Sequence, residues 1–300
     1  MRLAILFSGQ GGQRPEHGQQ VLAGAVPDLQ QALQDGGIDL ATVDAENLAK
    51  NSIAQPLIFA QQMILWRQLQ TELPRPICAA GYSLGEVAAC AAAGAFSPIE
   101  GLQLCIERAR LMDQAAPGTS GMLAVLGLDD GRVANIAAEY GLAIAIRNAP
   151  RHLVVAGPQA GIVAAAARFT AIGASRLVHL AVHTPSHTPM LANAAVDFEK
   201  RLNLLPDRRL VFPVLSAIDA TPARSAHAAL PALARQICTP LDWAACQQAI
   251  VELQPDVVLE IGPGNALTRL FNEFAPNIPA RACDDFRSSA GIISWVRSCA

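Results

Sequence analysis

Short apolar runs alternate along this chain with stretches of helical period, and glycine- and proline-rich turns separate them. Residues 2–7, apolar from Leu3 to Phe7 and ended by Ser8-Gly9-Gln10, read as a buried strand. Residues 54–72 place Ile58, Phe59, Met63, Leu65 and Trp66 on one face and predict a helix. The run Ile77-Cys78-Ala79-Ala80 predicts a second strand, and a helix is expected from about 84 to 94. Ser97-Pro98-Ile99-Glu100 has the cap, the first-turn proline and the acid of a helix start; that helix should reach about Ala115 and stop at Pro117-Gly118. After Pro117 the rhythm changes. A strand at 122–126, a helix at 129–140, strands at 143–146 and 152–156, a helix at 159–172 and a strand at 175–180 give the order β-α-β-β-α-β. From about residue 184 the longer α/β rhythm resumes, with a helix at 190–204 and strands at 211–215 and 257–261. The smaller unit therefore reads as an insertion into the larger one. The tail after Pro279 has no clear period.

Composition narrows the class without naming a chemistry. The chain has 300 residues, 52% hydrophobic and 16% charged, so a large core is expected in one domain or two. Its net charge of −3 and the lack of a basic stripe give no sign of a nucleic-acid or anionic-membrane partner. No apolar run approaches the length of about 18 residues that spans a bilayer. The N-terminal run is too short for a signal peptide. The seven cysteines (78, 90, 105, 238, 246, 283 and 299) are scattered and form no C-x-x-C pair, which favours buried thiols in a reducing cytoplasm and offers no metal site.

The most informative stretch is Gly81-Tyr82-Ser83-Leu84-Gly85, a G-x-S-x-G between a strand and a helix. Such a nucleophile elbow needs glycine at both flanks because the turn is tight, and it sets Ser83 at a helix N-terminus where N–H groups favour negative charge. The competing reading is an ordinary glycine-bounded turn. A serine needs a base, and the six histidines are 17, 152, 179, 183, 187 and 227. His187, in Thr184-Pro185-Ser186-His187, stands at a helix entrance and can project into a cleft; His183 competes with it, and His179 within an apolar strand reads as structural. Arg108 and Arg110 share a mostly apolar helix. Each is either a surface residue with a buried stem or a bidentate carboxylate clamp. Gly9-Gln10-Gly11-Gly12 fails the dinucleotide fingerprint because position 14 is arginine, but its turn can aim an N–H at an oxyanion. Gly262-Pro263-Gly264 is a turn that either lines the same cleft or only reverses the chain.

Taken in order, Phe7-Ser8-Gly9-Gln10-Gly11-Gly12-Gln13, Gln55-Pro56, Gly81-Tyr82-Ser83-Leu84-Gly85-Glu86, Arg108, Asn148, Pro185-Ser186-His187 and Glu260-Ile261-Gly262-Pro263-Gly264 resemble the malonyl-CoA:acyl carrier protein transacylase family over nearly the whole chain. The resemblance implies a large α/β-hydrolase-like domain (1–118 and 185–300) with an inserted ferredoxin-like α+β subdomain (119–184). It implies that Ser83 carries a malonyl ester and that His187 is base and then acid. It further implies that a main-chain carbonyl at Gln236 orients the imidazole, and that the N–H groups of Gln10 and Leu84 form the oxyanion hole. Arg108 would grip the malonate carboxylate, and Gln55 and Asn148 would line the acyl and pantetheine cleft. No cofactor is expected: malonyl-CoA is a substrate, and the partner is an acyl carrier protein with a phosphopantetheine-type thiol. Tyr82 stands where the fatty-acid branch usually has histidine, Arg14-Pro15-Glu16-His17-Gly18 departs from the usual start, and Asp284-Asp285-Phe286-Arg287-Ser288-Ser289-Ala290-Gly291 resembles the malonate decarboxylase epsilon subunit. The leading expectation is therefore malonyl transfer to the decarboxylase carrier subunit, with fatty acid or polyketide synthesis as the alternative. A serine hydrolase or a non-catalytic carrier-docking subunit would be readings of another class.

Overall fold

Every residue of the first strand is buried, and its neighbours explain why. The structure is a computed structural model that describes residues 1–299 except 25, 41–42 and 45–46. In chain order its elements are β1 (Leu3–Phe7), α1 (Pro15–Ala23), α2 (Pro27–Asp35), α3 (Asn51–Leu69), β2 (Cys78–Gly81), α4 (Leu84–Ala92) and α5 (Pro98–Ala115). Then follow β3 (Ser120–Leu126), α6 (Asp130–Glu139), β4 (Ala143–Ala149), β5 (His152–Pro158), α7 (Gln159–Ala171) and β6 (Arg176–Leu180). The chain continues with α8 (Ala192–Leu202), β7 (Arg209–Leu215), β8 (Pro222–Ser225), α9 (Ala226–Arg235), β9 (Leu241–Asp242), α10 (Trp243–Glu252), β10 (Val257–Ile261), α11 (Ala266–Phe274), β11 (Ala280–Ala282) and α12 (Ser289–Ser298).

The main sheet has the order β11-β10-β1-β2-β7-β8 and is parallel except for β8. Alternate residues of a strand face opposite sides. Leu3, Ile5 and Phe7 thus join one core with α1 to α5, α8 and α9, while Ala4 and Leu6 join a second with Trp243, Ile250, Leu267 and Phe271 of α10 and α11. A strand buried on both faces reads as an unbroken apolar run, which is why β1 and β10 were legible. In register, Phe7 lies beside both Gly81 and Ile261. The carboxyl ends of three adjacent parallel strands therefore deliver the loops after residues 7, 81 and 261 to one edge, the place where open α/β sheets bind ligands.

The second sheet has the order β6-β3-β5-β4-β9. Its first four strands are antiparallel neighbours, and α6 and α7 cover one face. The other face packs Met122, Ala124, Ile146 and Val154 toward Ala217, Leu241 and Tyr82. This seam brings the second sheet against the elbow.

Some boundaries differ from expectation. The helix expected at 54–72 spans Asn51–Leu69, with Pro56 inside it. The helix expected at 190–204 is a 3-10 turn, Pro189–Leu191, followed by α8. The tail supplies a parallel edge strand of three residues, too short for a period, and α12.

Candidate active site

Ser83 sits between β2 and α4 with φ 55° and ψ −112°, a strained conformation held by its surroundings. Both flanking glycines are required: a Cβ on Gly81 would strike the backbone of Gly85 and Glu86, and one on Gly85 would strike the Phe7 carbonyl. The Tyr82 N–H donates to that carbonyl (2.9 Å), and Gly9 lies against the backbone and ring of Tyr82. The elbow and the turn after β1 are thus packed backbone to backbone. Leu84 N–H points from the first turn of α4, where helix amides have no partner within the helix. Among the described residues neither it nor the Gln10 N–H has an acceptor in the chain. Gly262-Pro263-Gly264 does not replace this turn but buttresses it, since the Pro263 carbonyl abuts Gly12.

Of the two arginines, Arg108 is wholly buried, whereas Arg110 is exposed and paired with Glu107 at 2.6 Å. Arg108 Nη2 donates to Ser83 Oγ (3.2 Å), Nη1 donates to Gln55 Oε1 (2.7 Å), and Nε–H has no partner. Burial lowers its pKa to about 10, so it stays charged near neutral pH. Gln55 therefore orients the guanidinium, and it also rests on Met112 Sδ at 3.8 Å.

His187 is buried and His183 is exposed, which separates the two candidates. His179 is exposed on β6 rather than part of a core. His187 Nδ1 lies 2.5 Å from the main-chain carbonyl of Gln236, and its own N–H donates to the Ile237 carbonyl (2.9 Å). A carbonyl only accepts, so Nδ1 carries the proton and Nε2 is left with a free lone pair. Burial first, and then the Arg108 charge, push this imidazole down to about 3, while the Gln236 carbonyl opposes them. Ser83 Oγ is bonded to Arg108 in this state rather than to the imidazole.

Asn148, at the end of β4, accepts from the Tyr82 hydroxyl (2.9 Å), while its main-chain carbonyl accepts from Gln247 Nε2 (2.9 Å). It thereby joins the second sheet to the residue before Ser83.

Two groups of residues escaped the sequence reading. Asn51 accepts from Gln10 Nε2 (3.0 Å) and donates to Asp113 (2.7 Å) and Thr184 (2.7 Å), linking the β1 turn, α5 and the His187 loop. Glu260, quoted only as part of a motif, is a buried anchor: it accepts from Ser8 Oγ (2.8 Å) and from the N–H groups of Leu267 and Thr268 (3.2 and 2.7 Å) at the start of α11. Glu260 carried a signal, as the one charged residue in the apolar run 257–261; Asn51, between Lys50 and Ser52, carried none.

Residues 5–277 match the family model described as acyl transferase domain. The malonyl CoA-acyl carrier protein transacylase of Salmonella typhimurium is 29% identical over 298 residues, covering 95% of this chain and 96% of that protein. The polyketide biosynthesis protein ThaF of Burkholderia thailandensis is 33% identical over 305 residues, but those cover only 26% of its length. An acyl-carrier-protein S-malonyltransferase from Burkholderia pseudomallei superposes with a TM-score of 0.87 at 30% identity, covering 98% of this chain and 100% of that one. A malonyl-transacylase solved with its type II polyketide acyl-carrier protein gives a TM-score of 0.88 at 30% identity, covering 98% of this chain and 99% of that one.

Proposed function

The chain belongs to the acyl transferase domain family and is an acyltransferase, and we propose that it moves malonyl from malonyl-CoA to the thiol of an acyl carrier protein through an ester on Ser83. One observation carries this reading: a fully buried guanidinium, in no ion pair among the described residues, stands 3.2 Å from the nucleophile. A buried unpaired cation is costly and is matched by an acyl group that brings its own carboxylate.

In this reading the malonate carboxylate binds Arg108 and displaces its bond to Ser83 Oγ, which turns to His187 Nε2. Hydrogen bonds of this kind tighten only when substrate is bound. Nε2 takes the hydroxyl proton while Oγ attacks the thioester carbon, and the oxyanion meets the N–H groups of Gln10 and Leu84. One such donor is typically worth a factor of about 10²–10³. The C–S bond breaks, and the imidazolium returns its proton to the leaving CoA sulfur. The carrier thiol then gives its proton to Nε2, attacks the ester and restores Ser83 by the reverse path. Gln236 fixes the tautomer, as a triad carboxylate does elsewhere. No cofactor of its own enters any step, and the seven free thiols suit a reducing cytoplasm.

The relatives favour a carrier of fatty acid or polyketide synthesis over the malonate decarboxylase carrier that Tyr82 and the tail suggested. The same reading treats 1–118 and 185–300 as an α/β-hydrolase-like domain and 119–184 as a ferredoxin-like insert, supported by the strand orders above. The test is mass spectrometry after mixing with malonyl-CoA. One malonyl group on the Ser83 peptide is expected, absent in Ser83→Ala and discharged by an acyl carrier protein bearing phosphopantetheine. Unmodified wild-type protein, or label persisting in Ser83→Ala, refutes the ester. Preferential discharge by the decarboxylase carrier refutes the choice of partner.

A further inference from the structure

Glu86, in the first turn of α4, is a buried carboxyl that the transfer steps above do not use. Its Oε2 accepts from the Ala217 N–H (3.1 Å) and from Gln236 Nε2 (3.1 Å). The same Gln236 amide donates to the main-chain carbonyl of Ser83 (3.2 Å), and the Gln236 carbonyl holds His187 Nδ1. Gln236 thus has one hand on each member of the reacting pair, its side chain on Ser83 and its main chain on His187. Gln236 Oε1 is buried with no partner, so the amide is oriented through its nitrogen alone. Besides the Ser83 carbonyl, that nitrogen is held by Glu86.

We propose that Glu86 is the positioning residue of the Ser83–His187 pair: its carboxyl fixes the Gln236 side-chain amide, which holds the Ser83 backbone, while the main chain of the same residue holds the His187 imidazole. The proposal rests on the acyltransfer reading of Ser83 and His187. Gln236 thus stands between acid and imidazole, its side chain on Glu86 and its main-chain carbonyl on His187. The carboxyl also has its own route to solvent. A cavity of about 150 Å³ runs from Glu86 past Ser216 and Thr221 to Asp219 and Arg235. Those last two are about half exposed and lie 3.6 Å apart. The charged and titratable groups that face Glu86 are Arg108 of α5, Arg235 of α9, Asp219 after β7, and the thiols of Cys90 in α4 and Cys246 in α10. Burial raises the carboxyl to about 8, against the pull of the Ala217 N–H and Arg108. It is neutral below that pH and ionises above it, and an ionised acceptor shortens and strengthens both N–H bonds. The imidazole, held near 3, does not titrate in that range.

The experiment compares wild type, Glu86→Ala, Glu86→Gln and Gln236→Leu in single-turnover acylation by malonyl-CoA, with the His187 imidazole followed by NMR. Glu86→Ala and Gln236→Leu should each acylate on the order of 10²-fold more slowly, the cost of misplacing reacting groups, with KM for malonyl-CoA unchanged. Glu86→Gln keeps an acceptor oxygen and should recover most of the rate. The wild-type rate should rise through about pH 8, and that limb should be missing from Glu86→Gln. In Glu86→Ala and Gln236→Leu the His187 Nδ1–H resonance should shift and exchange faster with water as its bond to the main-chain carbonyl of residue 236 loosens; in Glu86→Gln it should stay as in wild type. This NMR readout holds even if Ser83 proves not to take malonyl, so failure of the acyltransfer reading is distinguishable. Wild-type rates and an unmoved His187 in Gln236→Leu would overturn the proposal, as would a loss confined to KM or equal losses in Glu86→Ala and Glu86→Gln. Gln236→Leu decides the matter if Glu86→Ala fails to fold.

Discussion

Arg108 shows how much one side chain can settle. The sequence placed two arginines on one helix and could not rank them, because a surface arginine with a buried stem and a buried clamp have the same local pattern. Residues two apart face different ways on a helix, and only the packing of α5 on α3 reveals that position 108 looks inward beside Gln55. Arg108 has two effects on the chemistry. It offers a cation to a carboxylate, and its charge holds down the basicity of His187. A malonate carboxylate cancels that charge, so the substrate strengthens its own base. Arg108→Ala should therefore weaken malonyl acylation by about 2–5 kcal/mol, the usual cost of truncating a buried charged partner. Acetyl acylation, which gains no carboxylate contact, should hold or rise as the imidazole becomes more basic. Rates with malonyl-CoA and acetyl-CoA, measured side by side, check this. An unchanged ratio would remove the clamp.

Among elements, the start of α3 was the hardest to read and matters most to the site. Asn51 looks like any polar residue near a helix start. Its partners lie 41, 62 and 133 residues away, beyond the reach of any local pattern. Strands buried on both faces, the capped start of α5 and the glycine-flanked elbow were legible because each is dictated by residues within a few positions. Asn51 instead ties three elements whose relative placement only the fold decides. Asn51→Ala leaves Thr184 and Asp113 bonded to each other at 3.2 Å but strands the Gln10 amide. A loss of about 1 kcal/mol in denaturant unfolding is expected, since the Gln10 amide is half-buried and Asp113 is exposed, so water replaces part of what is lost. Acylation should slow equally for malonyl and acetyl donors, because the oxyanion turn loosens while Arg108 stays in place. A selective loss of malonyl transfer would assign Asn51 to substrate recognition, and an unchanged rate would make it purely structural.

At the scale of the whole molecule, the order of elements was legible and the docking of the two sheets was not. The stretches expected from the sequence to depart from the family pattern are in contact in the structure. His17 and Arg14, from the unusual start, both lie 3.6 Å from Asp284 of the unusual tail, and Asp284 accepts from the Gly264 N–H (2.7 Å). Both departures thus converge on the turn that buttresses Gly12, behind the oxyanion turn. Tyr82 reaches the other way, to Asn148 across the seam, with its ring edge-on to Trp243 at 5.3 Å. Besides the Tyr82 bond, the second sheet is tied here by the two-residue β4–β9 pairing and the Gln247 bond. Removing one hydrogen bond at such a seam costs about 1 kcal/mol, which raises an open population roughly fivefold. A transferase must keep water from its ester while it waits for the carrier. Tyr82→Phe should therefore leave saturated acylation of Ser83 within about twofold of wild type and hasten loss of the malonyl ester to water by up to about fivefold. Mass spectrometry of the malonyl-enzyme over time, without carrier, measures that decay. If decay is unchanged and acylation slows instead, the hydroxyl acts on the elbow through its packing with Gly9 and not on the seam.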